Sequence, residues 1–120
     1  MVTKNLQRAI DKHRKAFNGF FNHPNIDTMP GEDARKLCWA EETAARRIAT
    51  MKLANDADFM HALRYLTLRA RKIWGDPDNG FDLSDVAVLI EQYFGLSDEE
   101  ADQVFGGARE AARDAEQIAA

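Results

Sequence analysis

The densest run of potential ligands is Gly75-Asp76-Pro77-Asp78-Asn79-Gly80-Phe81-Asp82-Leu83-Ser84-Asp85, with carboxylates at 76, 78, 82 and 85. A calcium loop of the EF-hand type wants oxygen ligands at its first, third and fifth positions, glycine at the sixth and a bidentate glutamate at the twelfth. Counted from Asp76, Gly80 falls at the fifth place and Ala87 at the twelfth, so the EF-hand pattern is not met and weak adventitious cation binding is the alternative left. A turn followed by a helix start accounts for these residues, with Asp82 capping amides ahead of Asp85 and Phe81 with Val86 as a hydrophobic staple. The other chemistry-bearing side chains are His13, His23, His61 and Cys38, and none has the spacing of a zinc pair. His13 falls on an apolar stripe, where a satisfied core or edge histidine is expected. Cys38 flanks a buried face and reads as a packed, inert thiol. There is no Gly-rich phosphate loop behind a strand. The inventory implies no cofactor, no metal and no catalytic residue.

The elements that must position these residues are helices. Leu6, Ile10, His13, Phe17 and Phe20 recur at three- and four-residue steps, predicting a helix over 4–21. A second, over 32–53, aligns Leu37, Ala44, Ile48 and Met51. Asp56 is a candidate N-cap for a third over 57–74, which aligns Phe59, Leu63, Leu66, Ala70 and Ile73. A fourth over 83–94 buries Leu83, Val86, Ile90, Tyr93 and Phe94. Ser97 and Glu100 form a capping box for a fifth over 98–118, interrupted by Gly106-Gly107. With no alternating segment, the expected fold is all-α: a compact bundle of about five helices in a single domain.

Charge is the strongest asymmetry. Residues 1–74 hold 14 basic and 8 acidic side chains, a net +6, whereas residues 75–120 hold 2 and 12, a net −10. Either the poles neutralise each other within the fold or one of them is a docking surface. The basic residues do not form one tract: Arg8, Lys12 and Lys15 share a side of the first helix, while Arg64, Arg71 and Lys72 scatter around the third. A helix-turn-helix over 83–112 is ruled out because its recognition helix would open with Asp98, Glu99, Glu100 and Asp102, which phosphates repel. With one cysteine, a charged N-terminus and no apolar run of about 20 residues, the chain reads as cytoplasmic and not membrane-bound.

Two stripes stand outside this plan. Trp39 points roughly 180° away from the Leu37–Ile48 stripe, taking about 100° per residue. Its helical neighbours include Arg35 and Arg46, the residue mixture of binding hot spots. On the third helix, His61, Tyr65, Leu68 and Lys72 lie opposite the apolar face. If both helices are central, each stripe is core, and the bulk of the indole tilts the expectation for Trp39 that way. If they are covered on one side, both stripes are contact surface. Glu41 is the local inconsistency, lying on the apolar face between Leu37, Ala44 and Ile48. It must meet an arginine or His13, or that face is partly wet.

The run Trp39-Ala40-Glu41-Glu42-Thr43-Ala44-Ala45-Arg46-Arg47-Ile48-Ala49, with Ala57-Asp58-Phe59 and Leu63-Arg64-Tyr65-Leu66, resembles small α-helical proteins from prophage and mobile regions of alphaproteobacterial genomes. The likeness spans about residues 37–95, and the group supplies no functional residue to transfer. It implies a phage-associated or accessory role. The expected function is therefore non-enzymatic: a protein that binds and blocks or modulates a macromolecular partner, such as a host nucleic-acid-handling or defence complex. The expected partner is a protein with a basic surface. The contact residues are Trp39, Arg35, Arg46 and Tyr65, together with the acidic Asp82, Asp85, Asp98, Glu99, Glu100 and Asp102. A nucleic-acid-binding regulator using the basic half, and a small metal-independent enzyme, are the rival classes.

Overall fold

The computed structural model describes residues 2–75, 82–95, 99–100 and 102–103. These form four helices and no strand: α1 Lys4–Phe21, α2 Gly31–Thr50, α3 Asp56–Trp74 and α4 Ser84–Phe94. The protein is all-α. Of the expected fifth helix, Glu99, Glu100, Asp102 and Gln103 are helical, and its remainder lies outside the described residues.

Helices α1 and α3 start on side-chain caps. The Thr3 hydroxyl accepts the Leu6 N–H at 3.4 Å and donates to Asp58 Oδ2 at 2.6 Å, while the Thr3 N–H reaches Asp58 Oδ1 at 3.0 Å. One threonine thus caps α1 and ties it to the first turn of α3. Burial pushes the Asp58 carboxyl up, but the bonds from Thr3 outweigh this and hold it below its ordinary value. The cap of α3 is Asn55, whose side chain accepts the Asp58 N–H at 2.9 Å; Asp56, the expected cap, is the first helical residue. Gly75, with φ of 80°, ends α3 in a backbone conformation that side chains resist. In α4 Leu83 rather than Asp82 holds the N-cap position and makes no side-chain cap bond; Asp82, one place earlier, accepts the Ser84 N–H at 2.9 Å. The staple residue Phe81 lies outside the described residues.

Helix α2 is the hub and packs against α1, α3 and α4. Leu6 and Ile10 of α1, Ala45, Ile48 and Ala49 of α2, Phe59, Ala62 and Leu66 of α3 and Leu89 of α4 form the core. The alanines at the crossings let the helix axes approach closely. Two expectations fail here. Helix α2 stops at Thr50 rather than Leu53, because Met51 turns extended and sends Met51 and Leu53 sideways onto the core. The centre of the α4 face is Leu89, whereas Leu83 and Phe94 are exposed. Phe94 instead lies edge-on to Phe59, which stacks on Tyr93 with centroids 4.5 Å apart.

Candidate functional site

Glu41 lies on the core face of α2 at 1% exposure, and its partners come from two other helices. Arg69 of α3 grips it with both arms, Nε to Oε1 at 2.5 Å and Nη2 to Oε2 at 2.9 Å. His13 of α1 reaches the same Oε1 through Nε2 at 2.8 Å. An ionised carboxylate only accepts, so Nε2 carries a hydrogen and donates it; Nδ1 and the Tyr65 hydroxyl, 2.5 Å apart, share the next hydrogen bond. Arg69 Nη1 extends the chain to Asp85 Oδ2 at 3.3 Å. Arg46 Nε stands 3.0 Å from Asp85 Oδ1, but off the hydrogen-bond direction, so that oxygen is held by charge alone. Six side chains from all four helices form one polar chain through the interior.

The electrostatics follow from this wiring. Burial drives the Glu41 carboxyl up, yet the hydrogen bonds and charges of Arg69 and His13 prevail and hold it at about 2. Burial pushes the Tyr65 hydroxyl up to about 12. Burial and the neighbouring Glu42, 3.6 Å from Sγ, likewise raise the Cys38 thiol. A carboxylate at about 2 is a feeble base near neutrality, and a phenol at about 12 a feeble acid. This chain of groups locks helices together.

Outside the lock, α2 keeps one uncovered side. Trp39, Thr43, Arg46, Arg47 and Thr50 are all exposed. Trp39 is 71% exposed, although its helix is the hub of the fold. The lean towards a core position for Trp39 is therefore corrected: three neighbouring helices cover most of α2 and still leave one stripe facing solvent. The indole forms a ridge between two grooves. One, of about 780 Å³, has Phe21, Trp39 and Trp74 among its walls and Glu41, Arg69 and Asp85 among its lining. The other, of about 980 Å³, runs between α1 and α2 and is lined by Arg8, Lys12, Arg47 and Lys52 with Ala9, Ala40, Ala44 and Met51. Basic residues that form no tract along the sequence meet here across two helices.

The remaining expected contact residues divide. Arg35 is exposed but lines neither groove. Arg46 lines the first groove and pairs with Asp85, so part of the acidic pole is turned inward on the basic one. Tyr65 is half-buried and spent on His13, away from Trp39, while its stripe-mates His61, Leu68 and Lys72 are exposed. Asp82 is exposed, and the Ser84 amide lowers its carboxyl. Glu99, Glu100 and Asp102 are exposed; Asp98 lies outside the described residues. Arg69 is the residue that the sequence reading missed. Its signal is faint: an arginine with Leu66 three places before it and Ile73 four places after it, on the margin of an apolar face.

Among the described residues no group of three His, Cys, Asp or Glu gathers as metal ligands, and no helix is long and apolar enough to cross a membrane. The chain matches no family model, no curated protein and no solved structure.

Proposed function

We propose that this chain is a non-enzymatic binding protein that occupies the surface of a macromolecular partner, with Trp39 at the centre of the contact. The observation that carries this reading is the indole at 71% exposure on the uncovered stripe of the hub helix. A tryptophan on a rigid, well-packed helix loses little freedom on binding, and beside Arg46 and Arg47 it has the composition of an energetic anchor. The titratable groups of the interior serve the fold, which fits docking better than proton transfer. The resemblance of α2 and α3 to prophage-encoded helical proteins adds a setting: a phage- or mobile-element-associated factor that blocks or modulates a host complex. The acidic residues Asp82, Glu99, Glu100 and Asp102 form a second contact, suited to a basic patch on the same partner. Such charges act mainly on association rate.

The test is capture from a bacterial lysate at low and high salt with the wild-type chain and with Trp39→Ala. A protein retained by the wild type and lost by the variant is expected. Equal retention by both removes Trp39 from the contact. Recovery of nucleic acid with no protein favours the regulator.

A further inference from the structure

The groove between α1 and α2 has a one-sided chemistry. Arg8 and Lys12 rise from α1, Arg47 from α2, and Lys52 from the segment that follows it; among the described residues no carboxylate lines the groove. None of these four cations forms an ion pair among the described residues, whereas Arg46 and Arg69 on the far side of α2 both do. Four like charges around one trough repel each other, and a ligand that brings carboxylates relieves that repulsion on arrival. Between the cations the floor is apolar and low, because Ala9, Ala40 and Ala44 carry only a methyl group each. From Trp39 to Thr50 the groove follows α2 for about 17 Å at about 1.5 Å per residue, about three helical turns, and Lys52 stands just past the helix end.

We infer that this groove receives an acidic amphipathic helix of a partner protein. Its small apolar side chains would sit on Ala9, Ala40 and Ala44, and its flanking Glu and Asp side chains would meet Arg8, Lys12, Arg47 and Lys52. The occupant completes a three-helix layer on α1 and α2, with Trp39 closing one end of the trough. A helix fits better than a nucleic-acid strand. A strand would use the cations but leave the alanine floor dry and unfilled, and single-strand readers present several stacking rings where this groove has one among the described residues. The inference rests on the docking reading above and gives that contact its partner chemistry.

The test uses the full chain and a fluorescent 14-residue synthetic helix with Ala and Leu on one face and Glu along both flanks. Controls are the same peptide with Lys in place of Glu, a single-stranded oligonucleotide, and the oligomeric state by light scattering. The acidic peptide is expected to bind at least tenfold more tightly than the Lys peptide, and the double variant Lys12→Glu/Arg47→Glu to lose that binding at least tenfold. Both positions are exposed, and Lys12→Gln/Arg47→Gln with an unchanged unfolding midpoint guards against a folding defect. Equal binding of the two peptides, or no binding of the acidic one, overturns the inference. So does preferential binding of the oligonucleotide, or a dimer that the double variant dissolves. The two readings fail separately. Peptide binding lost in Trp39→Ala but intact in the double variant sinks the groove alone; the reverse pattern withdraws Trp39 and keeps the groove.

Discussion

Arg69→Met keeps much of the side chain's length beside Leu66 and Ile73 and removes the guanidinium. Glu41 Oε2 then loses its partner, Oε1 keeps only His13, and Asp85 keeps only Arg46. Glu41 stays 1% exposed in the native fold, so it must remain ionised without its counter-charge or take up a proton at neutral pH. Breaking one side of a buried pair of this kind costs about 3–5 kcal/mol. For 120 residues the unfolding entropy is about 0.25 kcal/mol per kelvin, so the midpoint should fall by about 12–20 °C. The partner variant Glu41→Gln retains an acceptor for His13 and leaves the Arg69 guanidinium to Asp85. With both charges gone in Glu41→Gln/Arg69→Met, no charge is stranded between the two positions. The double variant should then be less destabilised than the sum of the singles by about 1.5 kcal/mol or more. Urea and thermal unfolding of the four chains complete the cycle. A cost below about 1 kcal/mol for Arg69→Met, or strictly additive costs, would refute the view that the lock is a desolvated unit.

Acid should dissolve the same lock. The Glu41 carboxyl sits at about 2 in the fold against an ordinary 4.5, so its contribution is complete above the ordinary value and drains as pH falls from about 5 to about 2. The full amount is about 3 kcal/mol, and Asp58, also lowered, adds a loss of the same sign; unfolding free energy that stays flat from pH 6 to pH 2.5 would contradict this. Tyr65→Phe removes the hydroxyl bonded to His13 Nδ1 and should cost about 1–2 kcal/mol by urea unfolding, while a gain in stability would show that the bond is not formed. Trp39→Ala should change stability by less than about 0.5 kcal/mol while weakening partner binding by about 2 kcal/mol or more; a large fall in the unfolding midpoint would place the indole in the core after all.

Helix existence was legible in the residues because it depends on local order. The bounds of α1 agree with its apolar stripe at both ends, and those of α3 agree except for one residue at the cap. His13 as a satisfied core histidine, and Glu41 as a carboxylate in need of an arginine or that histidine, also follow from position on a helix face, since a buried charge without a partner is too costly to persist. What periodicity cannot carry is the rotation and order of packing between helices. That Arg69 supplies the counter-charge, that Leu89 rather than Leu83 or Phe94 is the centre of α4, and that Met51 leaves α2 to reach the core all depend on where a second helix lies. Trp39 shows the limit most plainly. Its angle on α2 was readable from the chain, but its exposure was not. A helix with three neighbours still has circumference to spare, and which arc stays open is decided by the angles at which those neighbours cross it. The basic groove has the same origin. Arg8 and Lys12 lie more than thirty positions from Arg47 and Lys52 along the chain, and only the packing of α1 on α2 sets their charges side by side.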